Sequence, residues 1–121
     1  MTTVEQGRAA EEQARIFLER KGFRFLDANH RTPLGEVDLV MKDGETLVFV
    51  EVRERRNESF GRGFETVTAR KQARIAKAAL CYAKMKKATG SSLRFDVVSL
   101  GPRGIEHIPN AFVPPAGRYT V

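Results

Sequence analysis

The sequence predicts an α/β domain in which helices pack on a mixed sheet, in the order helix, three strands, helix, two strands. Three observations carry this. Apolar residues recur at helical spacing over residues 4 to 21 and 66 to 88, alternate at strand spacing on both sides of Lys42-Asp43-Gly44-Glu45, and run almost unbroken from Leu93 to Leu100. At 121 residues the chain can build a core without staples, and no repeat or linker divides it, so residues 1–121 read as a single domain.

In the first helix Ala10, Ala14, Phe17 and Leu18 form the stripe that should be buried, and Gly22 marks its stop. At about 100° per residue, Glu11 lies on the edge of that stripe beside Leu18, whereas Glu12 faces away. Glu11 can therefore lean toward whatever the helix packs on. Its plainer alternative is an exposed pair with Arg15, worth roughly a few tenths of a kcal/mol. Phe23 to Ala28 reads as the first strand and Asn29 to Pro33 as a connection, with His30 as a loop residue lacking metal-ligand spacing to His107.

Residues 34 to 53 carry the strongest pattern. Asp-Gly between hydrophobic runs signals a hairpin. Before it, Val37, Leu39 and Met41 share one face, with Glu36, Asp38 and Val40 on the other. After it, Val48, Val50 and Val52 share a face, with Leu47, Phe49, Glu51 and Arg53 opposite. A two-residue turn at Asp43-Gly44, or a four-residue loop closed by Met41 and Thr46, pairs Asp38 with Phe49 and Glu36 with Glu51. Val37, Leu39, Met41 and the three valines then gather on one face. Glu36, Asp38, Glu51 and Arg53 gather on the other, with Asp38 and Glu51 as diagonal neighbours about 5.5–8 Å apart. An odd loop would slip the pairing by one and separate the acids. Repelling carboxylates held side by side need compensation, and a divalent cation is the natural candidate because hard cations bind carboxylate oxygens. The plainer alternative is a half-exposed hairpin with a solvated polar face.

Residues 54 to 64 form a polar, glycine-containing loop that offers Arg55, Arg56 and Arg62, either as open surface or as a cover for a ligand. The second helix has Thr66 or Thr68 as its N-cap and Ile75, Ala78, Ala79, Tyr82 and Met85 as its buried face. Arg70, Arg74, Lys77 and Lys84 run along another face with Lys71 nearby, and Glu65 is the only acid from Glu65 through Gly90. That imbalance favours contact with phosphate over internal salt bridges. Few aromatics interleave, so stacking on single-stranded bases is not indicated. Leu93 to Leu100 reads as a central strand, Ile105 to Ile108 as a short edge strand, and residues 110–121 as an irregular tail.

With a net charge of +6 and a pI of about 9.9, the chain is expected to meet an anionic partner, nucleic acid first. A single cysteine, Cys81, excludes a disulfide framework or a cysteine-rich zinc site, and its helical context predicts a buried structural thiol. No signal peptide opens the chain and no apolar run is long enough to span a membrane, so the cytoplasm is expected.

Several segments, taken together, resemble the YraN-type family of predicted endonucleases, in the PD-(D/E)XK nuclease superfamily and distantly similar to archaeal Holliday junction resolvases. They are Gly7-Arg8-Ala9-Ala10-Glu11, Asn29-His30-Arg31, Gly35-Glu36-Val37-Asp38-Leu39-Val40, Phe49-Val50-Glu51-Val52-Arg53, Lys71, and Arg94-Phe95-Asp96-Val97-Val98. The resemblance covers roughly residues 7 to 100 and implies a restriction-endonuclease-like core. It implies that Asp38 and Glu51, with the carbonyl of Val52, bind Mg²⁺ or Mn²⁺, and that Glu11 completes the site. It also implies a homodimer, and DNA, branched or flapped, as substrate in preference to RNA.

Two departures stand out. Ala10 replaces the glycine usually found before the helix acid, and Arg53 stands at the superfamily's lysine position. Arginine supplies charge and hydrogen bonds but does not lose its proton in proteins, so it cannot be a general base. Three outcomes follow: a slower nuclease with solvent as proton acceptor, a lysine supplied from elsewhere such as Lys71, or a binding protein without cleavage. The leading expectation is a metal-dependent DNA nuclease with Asp38 and Glu51 as ligands, Glu11 in support and Arg53 as the transition-state cation. Arg31, Arg55, Arg62, Arg70, Lys71, Arg74 and Lys77 would contact nucleic acid. The alternatives are a non-catalytic nucleic-acid-binding module that keeps the nuclease fold, and a structural protein that pairs through a sheet edge.

Overall fold

In a computed structural model that describes residues 2–55, 67–88 and 91–113, the chain folds in the predicted order. Helix α1 (Thr3–Arg20) starts at Thr2, whose hydroxyl accepts the Glu5 backbone N–H. It is left through Gly22, whose φ of +97° suits a residue without a Cβ. Strands β1 (Arg24–Thr32), β2 (Gly35–Asp43) and β3 (Thr46–Glu54) form an antiparallel meander. Helix α2 (Ala69–Met85) then crosses over, so β4 (Ser92–Gly101) returns parallel to β3, and β5 (Gly104–Ile108) closes the edge antiparallel to β4. The five strands lie in chain order, β1-β2-β3-β4-β5, in one mixed sheet.

Each face of the sheet carries one helix. Ala10, Ala14 and Leu18 of α1 pack on Leu39, Met41, Val48, Val50, Val98 and Leu100. Ile75, Ala78, Ala79 and Tyr82 of α2 pack on Val40, Leu47, Phe49, Phe95 and Val97. The inner strands are covered on both sides, which is why β3 and β4 read as nearly continuous apolar runs.

This packing corrects several expectations. The face of the hairpin holding Val40, Leu47 and Phe49 is not a solvated charged face but the bed of α2. Val37 joins that bed and leaves the company of Leu39 and Met41, because the strict alternation of β2 breaks between Val37 and Leu39. The turn is Gly44-Glu45 closed by Asp43 opposite Thr46, which shifts the register by two residues from the expected pairing and preserves the faces. Strand β1 runs through the expected connection to Thr32, carrying His30 against the Tyr82 ring at 5.2 Å between centroids. Met85 is 61% exposed at the end of α2, where Ala83 takes the buried position, and Cys81 is only half-buried. Thr68 caps α2 by accepting the Lys71 N–H. Thr66, Arg56, Arg62 and most of the expected loop lie outside the described residues.

One contact sets the distance between α2 and the sheet. A Cβ on Gly35 would collide with the backbone carbonyl of Arg74, so the bare backbone of Gly35 admits α2 closer than any side chain would allow. Lys71 lies one turn earlier on the same helix.

Candidate functional site

The β2–β3 ladder runs from Asp43–Thr46 to Leu39–Val50 and ends there, one residue short of Asp38 and Glu51 on the two strands. On the other side, β1 and β2 pair through Ala28–Leu39 and His30–Val37, which places Asn29 across from Asp38. Asn29, Asp38 and Glu51 therefore lie on three neighbouring strands where regular pairing gives way: Asn29 has a φ of +54°, and the hairpin ladder ends at Leu39. Asp38 fills the break by accepting the Val52 N–H through Oδ2 at 2.8 Å.

The two carboxylates are held close against their electrostatic preference. Glu51 is 7% exposed, shares a hydrogen bond with Asp38, and accepts the Lys71 ammonium at 3.1 Å. Burial, then the neighbouring Asp38 charge, push the Glu51 pKa up to about 7 against the opposing pull of Lys71. Asp38 is raised as well, chiefly by burial, although the Val52 N–H, Glu51 and Lys71 work to lower it. Glu11 approaches from α1. It leaves Arg15 to Glu12 and Glu19 and accepts the Asn29 side-chain amide at 2.9 Å. Burial raises the Glu11 carboxyl too, with Asn29 opposing.

Glu11, Glu36, Asp38, Glu51, Val52, Arg53 and Lys71 line one open cleft of about 320 Å³. A recess of about 320 Å³ adjoins it beside Thr68, Arg70, Lys71 and Arg74, and one of about 400 Å³ adjoins it on the other side beside Gly7, Arg8, Asn29 and Arg31. The first residues of both helices thus flank the carboxylates, bringing cations to each side. Arg31 is already paired with Glu36 at 3.3 Å. Lys77 is exposed farther along α2 and lines none of these recesses. Arg55 is half-buried at the exit of β3, where its backbone N–H bonds to Leu100.

As a cation site the cleft fits in part. A buried Glu51 beside a half-buried Asp38, both with raised pKa values and open to solvent on one side, offers part of the donor set a divalent ion needs. Among the described residues, however, no three His, Cys, Asp or Glu side chains stand close enough together to hold a metal, and Glu11 is bonded to Asn29. Sequence reasoning does not single out Arg8 or Asn29 for the cleft. Arg8 lies in the exposed second turn of α1 without a distinguishing pattern, and the left-handed backbone of Asn29 has no periodic signature beyond asparagine's tolerance for it.

Comparison with known proteins places the chain. The profile of "Uncharacterised protein family UPF0102" matches residues 10–100. A UPF0102 protein of Pelotomaculum thermopropionicum is 46% identical over 112 residues, covering 88% of this chain and 93% of that relative. One of Serratia proteamaculans is 47% identical over 108 residues, covering 88% and 92%. A third, of Thermodesulfovibrio yellowstonii, is 40% identical over 112 residues, covering 93% and 99%. Asp38, Glu51, Lys71 and the Arg94-Phe95-Asp96 strand all fall inside the matched span, and the chain belongs to the UPF0102, or YraN-type, family.

Proposed function

We propose that this protein is a divalent-metal-dependent nuclease that hydrolyses internal phosphodiester bonds in DNA, built on a restriction-endonuclease-like core. The single observation that carries the reading is the Asp38–Glu51 pair: a buried and a half-buried carboxylate side by side, at the floor of an open cleft flanked by cations. A purely structural sheet gains nothing from such a pair, and perturbed carboxylates in a cleft mark functional sites.

Asp38, Glu51 and the Val52 carbonyl would hold Mg²⁺ or Mn²⁺, with Glu11 swinging from Asn29 to join them. Bound there, the ion supplies Lewis acidity at the scissile phosphate and at the attacking water. The chain's own residues do the rest. Arg70, Lys71 and Arg74 on one side, and Arg8 and Arg31 on the other, bind the flanking phosphates of a strand that continues past the cleft in both directions. Arg53 offers fixed positive charge to the phosphoryl oxygens and takes no proton. Lys71 is placed to do what the superfamily's lysine does from the strand, since its ammonium reaches the same carboxylate from α2.

Purified protein with Mn²⁺ should cleave DNA, and Asp38→Ala should lower the rate by at least about 100-fold. Identical behaviour of wild type and variant, with no cleavage of DNA or RNA by either, ends this reading. The resemblance also implies a homodimer, which sedimentation equilibrium tests.

A second reading is favoured by the Lys71–Glu51 ion pair itself. An ammonium already seated on Glu51 neutralises the pair without a metal, as a non-catalytic nucleic-acid-binding module would need. Arg53→Lys separates the two: gained cleavage marks a decayed nuclease, and lost cleavage marks arginine as the working cation.

A further inference from the structure

We infer that the solvent face of α2 is a docking track for the sugar–phosphate backbone of a duplex DNA arm that leads away from the cleft. The inference deepens the nucleic-acid reading of the cleft and rests on it for the identity of the anion. The two helices treat charge differently. Helix α1 balances it, with Arg15 paired to Glu12 and Glu19. Helix α2 carries Arg70, Lys71, Arg74, Lys77 and Lys84 and no acid. Lys71 is seated on Glu51. The other four are exposed, and none forms an ion pair with a described residue.

At about 100° per residue, Arg70, Arg74, Lys77 and Lys84 fall in one narrow stripe, opposite the side on which Ile75, Ala79 and Tyr82 meet the sheet. The stripe begins at the recess beside the carboxylates, which Arg70 and Arg74 line. At about 1.5 Å per residue it runs about 21 Å from there to Lys84, roughly six base pairs of duplex at about 3.4 Å each. The arrangement costs the helix stability. Arg70, Arg74 and Lys77 repel one another a turn apart, and Arg70 opposes the helix dipole in a first turn without acids. Packing on the sheet gains nothing from these charges, so what they fit is an anion outside the chain. Two further features select that anion. Tyr82, the one aromatic ring of α2, is only 3% exposed, so bases have nothing to stack on and the contact is to backbone. The apolar face is buried in the core, so α2 has none to sink into a lipid surface. A straight row of cations on a packed helix matches a stiff duplex, whereas a flexible single strand would be ordered along it without stacking in return.

Cys81, the chain's single cysteine, is half-buried within the stripe, between Lys77 and Lys84, and serves as a reporter. Its alkylation by a maleimide is followed in EDTA, where no metal-dependent cleavage intervenes. Saturating duplex DNA longer than the track should slow the reaction severalfold, and single-stranded DNA of the same length or phosphatidylserine vesicles should slow it less. Equal shielding by single strands or vesicles, or none by duplex, overturns the inference. A second readout does not depend on the thiol. The double variant Lys77→Gln/Lys84→Gln, altered only at exposed positions, should lower the slope of log affinity for duplex against log salt by about 2, about one for each lost phosphate contact. An unchanged slope overturns the inference, as does wild-type protein that binds no duplex. Cleavage in Mn²⁺ is scored separately. Cleavage with Cys81 unshielded keeps the nuclease and removes the track, and shielding without cleavage keeps the track and defeats the nuclease.

Discussion

Two acidic sites are buried in the same sheet, and the fold treats them in opposite ways. Asp96, fully buried on β4, accepts Arg94 through Nε at 2.9 Å and Nη2 at 3.0 Å, the Asn110 N–H at 2.9 Å, and bonds His107 Nε2 at 2.8 Å. Burial alone would raise its pKa. His107, Arg94 and the Asn110 N–H outweigh burial and hold the carboxyl below its ordinary value. Arg94 is itself anchored, to Asp43 at 2.9 Å and over the Phe23 ring. Asp38 and Glu51, two strands and one strand away, have each other, one backbone N–H and one lysine. Their pKa values go up. The difference teaches what each is for. A carboxylate surrounded by donors on every side fastens the fold. A pair left under-compensated beside open solvent is where, on the function proposed here, a cation would bind.

Four measurements break or sharpen that contrast. The largest effect should come from Asp96→Ala, which strands Arg94 and His107 and should cost about 3–5 kcal/mol of unfolding free energy in urea. A loss under about 1 kcal/mol would mean that the donors around Asp96 fasten nothing. Next, Gly35→Ala should push α2 outward, cost about 1–3 kcal/mol, and separate Lys71 from Glu51. If a crystal structure of that variant keeps the 3.1 Å ion pair, close helix approach is not what compensates Glu51.

The third concerns pH. The Glu51 carboxyl is raised from 4.5 to about 7 on folding, so its favourable contribution is full in acid and is lost as pH rises toward and through 7. Metal-free Glu51→Gln should therefore be more stable than wild type at pH 8 by about 1–2 kcal/mol, allowing for water in the open cleft, and the gain should vanish near pH 4. Asp96 has the reverse sign: its contribution is present above the ordinary carboxyl value of 3.8 and is lost as pH falls through its lowered pKa. A variant equally stable to wild type at pH 8 would show that Glu51 is not strained. The smallest effect should be Thr68→Ala, about 1 kcal/mol from loss of the cap on the α2 turn that carries Lys71, seen in the melting temperature.

Much of the fold and half of the site were legible in advance, for identifiable reasons. The hairpin, its even parity and the common face of Asp38 and Glu51 follow from alternation and an Asp-Gly turn, and parity survived even though the turn moved by one residue. Glu11 was legible as a stripe-edge residue. The extension of β1 through His30 was not, because Asn29-His30-Arg31-Thr32-Pro33 has loop composition, and its His30, Arg31 and Thr32 are held in the sheet by pairing with β2. The place of Val37 was not, because a local break in a strand leaves no mark on a period.

By itself the sequence determined the order of elements, the two apolar helix faces, the acids shared by one hairpin and the family. All of these are written in local spacing and turn chemistry. Only the tertiary structure decided that Lys71 sits on Glu51, that Asn29 holds Glu11 and that Arg94 ties Asp96 to Asp43. Those pairs lie far apart along the chain, and what brings them together is packing distance, set at places like the bare backbone of Gly35. Periodicity says which face a residue is on; only the approach of one element to another says whom it meets there.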